Sequence, residues 1–125
     1  MSIIYQINNK NYLLAHSHYS ISLYCKENNI SLEEFNMPVI IDKHIKNCSN
    51  MFRGCKSFNQ NIVIPTGVRY CDYMFYDCTN LNHINCFPDT VISCKHAYDN
   101  TKIYNNKIDN GLYPYFVKLK ERSLI

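Results

Sequence analysis

At 125 residues, 46% apolar and 18% charged, the chain has the size and balance of one globular domain with a modest core. Its net charge of +3 argues against an acidic imitation of nucleic acid and falls short of the dense basic stripe of a dedicated nucleic-acid binder. The longest apolar runs, 37–41 and 62–65, are far below the roughly 20 residues of a membrane span. The opening MSIIYQINNKNYLLA lacks the basic, apolar and cleavage segments of a leader, so the expected compartment is the cytoplasm, with no membrane partner. There the seven cysteines would be reduced and would act as small buried hydrophobes. Asn, Ile, Tyr and Lys are abundant while Arg and Ala are scarce, a codon bias that points to an AT-rich bacterial, phage or viral genome.

Residues 1–38 read as a small α/β cap. SIIYQI and NYLLA are short β-prone runs separated by Asn8-Asn9-Lys10, a hairpin signal. In HYSISLYCKENN, Ile21, Tyr24, Cys25 and Asn28 fall at helical spacing, and Asn28-Asn29 makes a stop. Ser31 followed by Glu34 has the capping-box spacing and predicts a short helix over SLEEF, ended near Pro38.

Residues 39–108 repeat themselves. CSNMFRGCKSFNQNI at 48–62 and CDYMFYDCTNLNHIN at 71–85 lie 23 residues apart. Cys48 maps onto Cys71, Met51 onto Met74, Phe52 onto Phe75, Cys55 onto Cys78, Phe58 onto Leu81 and Asn59 onto Asn82. A worn third copy holds Cys94, Ala97, Tyr98, Thr101, Tyr104 and Asn105. A unit this short cannot bury its own apolar side, so its copies are expected to stack. FNQNIVI, LNHINCF and IYNNKI are the strand candidates, PTGV and PDTV are turns, and the CDYMF-type segment is a short helical or 3₁₀ turn. One pair is out of step: Ile84 aligns with Asn61 while Ile62 aligns with Asn85, which a one-residue shift would reconcile. Residues 109–125 leave the repeat. Tyr115, Phe116 and Leu119 share a helical face after Pro114, so a terminal helix, or else a final strand, closes the last coil.

The pattern C-x-x-M-F-x-x-C-x-x-[FL]-N, followed by Ile64-Pro65 or Phe87-Pro88, resembles BspA-type leucine-rich repeats, above all a subfamily of AT-rich bacteria and phages. The resemblance spans about residues 39–108. It implies an α/β repeat: a short leucine-rich-repeat-like solenoid of about three 23-residue coils, with an N-terminal hairpin–helix cap and a C-terminal cap. It also implies a binding scaffold.

Candidate chemistry is sparse. Cys48, Cys71 and Cys94 form one ladder by repeat position, and Cys55 and Cys78 another, which fits inward-facing thiols better than disulfides. Zinc could be drawn from Cys78, His83, Cys86, Cys94 and His96, but no C-x-x-C pair is present, so no metal or other cofactor is expected. His16-Ser17-His18 with Cys25 lacks the orienting third group that a nucleophile needs, and Gly54, Gly67 and Gly111 are isolated, so no catalytic residue is assigned.

The expected function is non-enzymatic protein binding. Eleven Tyr supply amphipathic rings for the core, where Tyr24, Tyr70, Tyr73, Tyr98 and Tyr104 are candidates, and for an interface. Strand residues not needed inside are the contact candidates: Gln60, Asn61, His83, Asn85, Asn106 and Lys107. The partner would be a host or viral protein, and a phage or mobile-element inhibitor of a host defence system, such as an anti-CRISPR protein, is the specific form considered. The alternatives are a nucleic-acid binder using Lys118, Lys120 and Arg122 with Lys43, Lys46, Arg53 and Arg69, and a fragment of a surface adhesin.

Overall fold

The computed structural model describes residues 1–105 and residue 119. The N-terminal hairpin pairs β1 (Ile3–Ile7) antiparallel with β2 (Lys10–Ala15). Asn8 and Asn9 make its two-residue turn with φ of 51° and 64°, the left-handed pair that such a turn demands and that Asn tolerates. Helix α1 (Ser20–Glu27) follows, then a single 3₁₀ turn (Leu32–Glu34), then β3 (Val39–Ile41), which joins β2 in parallel. The sheet order is β1-β2-β3. Leu13, Ala15, Val39 and Ile41 point from one face of the sheet into the core, against Ile21, Cys25 and Phe35.

The leucine-rich-repeat-like solenoid is not what forms. The protein is a small mixed α/β domain with one three-stranded sheet and two helices among the described residues. Neither FNQNIVI nor LNHINCF is a strand, and the third candidate opens inside helix α2 (Lys102–Asn105), while residues 106–108 lie outside the described residues. The physical reason lies in the asparagines. The N–H of Asn59 goes to Asn36 Oδ1, that of Asn82 to Asn59 Oδ1 and that of Ile62 to Asn85 Oδ1. These side-chain amides take backbone donors that a strand would give to a neighbouring backbone.

The sequence period does persist as contacts between turns. The N–H groups of Cys48, Asn50, Phe52 and Gly54 donate to the carbonyls of Tyr70, Asp72, Met74 and Tyr76. Those of Cys71, Tyr73, Phe75 and Asp77 donate in the same way to Ser93, Lys95, Ala97 and Asp99. Each turn is tight because two residues adopt positive φ: Asn50 and Gly54, Tyr73 and Asp77, His96 and Asn100. Inside, Phe35, Phe58, Phe52, Phe75 and Tyr98 form a stacked aromatic column with centroid spacings of 4.3–6.1 Å. The expected C-terminal closing helix lies outside the described residues, apart from Leu119, which is buried.

Candidate protein-binding surface

The six contact candidates do not form one exposed strand face. Asn85 is the clearest correction, being 2% exposed. Its Oδ1 accepts the Ile62 N–H at 2.9 Å, its Nδ2 donates to the Gln60 carbonyl, and its main chain is bound on both sides by the Tyr98 hydroxyl. Asn85 therefore occupies the place of buried Ile62 one period on, and no one-residue shift is needed. Gln60 is half-buried and donates through Nε2 to Asn36, and His83 is half-buried. Asn61 alone among the described four is exposed. Asn106 and Lys107 lie outside the described residues.

Asn61 lines a groove of about 370 Å³, together with Tyr12, Val39, Ile40, Ile41, Ile62, Val63 and Pro65. The groove runs along the free side of β3. On its other side β3 is bonded to β2: the Leu13 N–H reaches the Pro38 carbonyl at 3.0 Å, and the Asp42 N–H reaches the Ala15 carbonyl at 2.9 Å. In a parallel ladder this phase turns the Ile40 amide groups toward β2 and those of Val39 and Ile41 away from it. Among the described residues, no backbone hydrogen bond joins Val39 or Ile41 to 61–65. Val63 rises beside this edge at 82% exposure.

A second surface is built from the turns. The Arg53 guanidinium lies over the rings of Tyr73 at 4.7 Å and Tyr76 at 5.0 Å. Tyr73 stacks in turn on His96, whose Nδ1 is 2.7 Å from Asp99. Arg53 is thus engaged with aromatic faces, while Lys43, Lys46 and Arg69 are exposed and Lys118, Lys120 and Arg122 lie outside the described residues. Of the tyrosines assigned to the core, Tyr98 is buried, Tyr24, Tyr73 and Tyr104 are half-buried, and Tyr70 is 43% exposed.

The chain matches no protein-family model, no curated protein and no solved structure.

The thiols have the electrostatics of core groups. Cys25, Cys48, Cys55, Cys71, Cys78 and Cys94 are buried and joined by no disulfide, and Cys86 is exposed. Burial, with the neighbouring Cys25, pushes the Cys55 thiol up to about 12. Burial also raises Cys78, and the hydrogen bond that the Cys71 thiol makes with Cys48, together with burial, raises Cys71. Cys25 is raised by burial as well, which disarms it as a partner for His16 or His18. Ser17 and Ser20 instead organise that loop, where the Ser20 hydroxyl accepts the N–H groups of His16 and Ser17.

The free edge of β3 is not among the contact candidates that the sequence suggests. Its signal was the apolar run at 37–41, which carries two β-branched isoleucines and a valine behind Pro38.

Proposed function

We propose that this chain is a non-enzymatic protein-binding module that takes an extended segment of a host or viral protein into the groove beside β3. The observation that carries this reading is the outward edge of Val39 and Ile41, unbonded to the facing chain across an apolar groove. Strand addition on such an edge draws affinity from main-chain hydrogen bonds and specificity from side chains at alternate positions. A β-branched or aromatic side chain of the segment would rest on Tyr12, Ile40 and Val63, and Asn61 would supply a polar contact at the rim. Inhibition of a host defence system is one activity that such a module would have. The phosphate-binding alternative draws less support, because Arg53 is occupied by two tyrosine rings.

The test is selection of a random linear-peptide library on the intact protein, followed by binding measurements on the enriched peptides. The expected peptides are uncharged at alternate positions and rich in β-branched or aromatic residues. They should lose at least tenfold in affinity on Val63→Arg, an exposed substitution that leaves stability within about 0.5 kcal/mol. Enriched peptides that bind Val63→Arg normally, or no enrichment at all, would overturn the reading.

A further inference from the structure

We infer that two copies of this chain join through β1 into one continuous six-stranded sheet. β1 is the outer strand opposite the β3 groove, and all five of its residues are exposed. Ile3, Ile4, Tyr5 and Ile7 retain 42–48% of their surface in water. The strand IIYQI has no charge and no proline, the devices by which exposed edges are usually protected from pairing.

The phase of the hairpin fixes what this edge offers. A two-residue turn at Asn8-Asn9 makes Ile7 and Lys10 the bonded pair that closes it, so Tyr5 with Tyr12 and Ile3 with Leu14 are bonded pairs too. Ile4 and Gln6 therefore turn their N–H and C=O groups outward. No backbone hydrogen bond joins them to anything beyond the hairpin among the described residues.

A second copy is the occupant that this edge fits. When β1 pairs antiparallel with itself about a two-fold axis at Tyr5, Ile4 faces Gln6 of the second copy and Gln6 faces its Ile4. Every outward donor and acceptor of both residues is then satisfied, in four hydrogen bonds. Tyr5 meets Tyr5, and Ile3 meets Ile7, so each cross-strand pair on the outer face is apolar. No like charges are brought together at the strand. The antiparallel sense also sets the end that holds Glu27, which accepts the Ser2 N–H at 2.9 Å and lies 3.7 Å from the Met1 amino group, beside the Asn9-Lys10 end of the second copy. The window closes at both ends, because Ser2 is tied to Glu27 and Asn8 is left-handed at φ 51°.

Five residues a side is far below the roughly 20–30 of a standard interface, so the dimer is weak and populated by concentration. This dimer uses the edge opposite the groove, so it and peptide binding fail independently.

Sedimentation of the full chain from about 10 µM to about 1 mM spans the range in which small interfaces associate. The mass should rise toward two chains across it. Tyr5→Lys, which places two like charges at the axis, and Gln6→Pro, which removes an outward donor, should hold the protein monomeric. Val63→Arg should dimerise as the wild type does. Amide hydrogen exchange supplies a readout without substitution: the Ile4 and Gln6 amides should slow at high concentration while those of Val39 and Ile41 do not. A monomer throughout the range, a dimer unaffected by both β1 variants, or protection at Val39 and Ile41 instead would overturn the inference.

Discussion

The Tyr98 hydroxyl holds Asn85 from both sides of its main chain, donating to the carbonyl at 2.7 Å and accepting the N–H at 2.8 Å. One buried side chain thereby satisfies a residue 13 positions earlier that has no strand partner. Asn85 in turn satisfies Ile62. The chain crosses the interior here without regular secondary structure, and these two residues supply the hydrogen bonds that a sheet would have provided.

Tyr98→Phe keeps the ring stacked on Phe75 and removes only the hydroxyl. It leaves the Asn85 N–H and C=O buried without partners, so the expected loss is about 1–3 kcal/mol. Asn85→Ala should cost a similar amount through the orphaned Ile62 N–H. Urea unfolding checks both, as a lower midpoint at unchanged slope.

Phe75 has a ring on each side in the aromatic column, stacked on Phe52 at 5.5 Å and on Tyr98 at 5.0 Å. Truncation to Ala removes contacts on both sides and opens a cavity, at a cost of about 3–5 kcal/mol. Against the roughly 5–15 kcal/mol that holds a domain together, that is a large share of the stability. Thermal unfolding followed by circular dichroism should place the midpoint of Phe75→Ala about 10–20 °C below that of the wild type.

Gly54 has φ of 78° and nothing within 4 Å of where a Cβ would stand. Gly54→Ala thus tests backbone conformation with no clash, and should cost about 1–2 kcal/mol. Thermal unfolding of this variant beside Gly54→Asn, which tolerates the left-handed region, should show the Asn variant less affected.

Six of the seven thiols are buried. A thiol reagent under native conditions should therefore label Cys86 fast and the others only after denaturant is added. The same burial makes the fold sensitive to alkali. Cys55 holds its proton to about 12 when folded, whereas an unfolded thiol ionises near 8.5. The stability due to this difference is complete below about pH 8.5 and is lost as pH rises toward 12, at about 1.4 kcal/mol per pH unit for each such thiol. Denaturation midpoints should be flat from about pH 6 to 8 and fall above about 8.5, and Cys55→Ala should lessen the slope.

The parts of this fold readable in the sequence are those set by neighbours in the chain. Asn8-Asn9 announces the hairpin because few residues accept positive φ twice in a row. Asn28-Asn29 ends α1 for a related reason, Asn29 standing at φ 54°. The Ser31 and Glu34 spacing was present, but the hydroxyl bonds the Glu34 carboxylate itself at 2.9 Å, and only a 3₁₀ turn results. The expected strands failed because apolar alternation looks the same in a strand and in extended chain whose donors go to asparagine side chains. Burial of Asn85 was unreadable for the same cause: an amide inside the protein is tolerable only when partners such as Gln60, Ile62 and Tyr98 arrive from elsewhere. The groove arises from a pairing that β3 and residues 61–65 do not make, and no local pattern encodes that.

The ladders between turns also give the molecule an electrical direction. The peptide unit joining Tyr70 to Cys71 accepts from Cys48 and donates to Ser93, and the units at 72–73, 74–75 and 76–77 do likewise. Four hydrogen-bond chains therefore run through three successive turns in one sense, each bond polarising the next. Their dipoles add as they do along an α-helix. Two chains of opposite sense, Ile92 to Arg69 with Tyr70 to Lys46 and Asn80 to Lys56 with Ser57 to Glu33, offset part of them. This leaves the balance of the four positive toward 93–100 and negative toward 47–54. A carboxylate is favoured at the later end, where Asp99 stands, and a cation at the earlier end, where Lys46 and Arg53 stand.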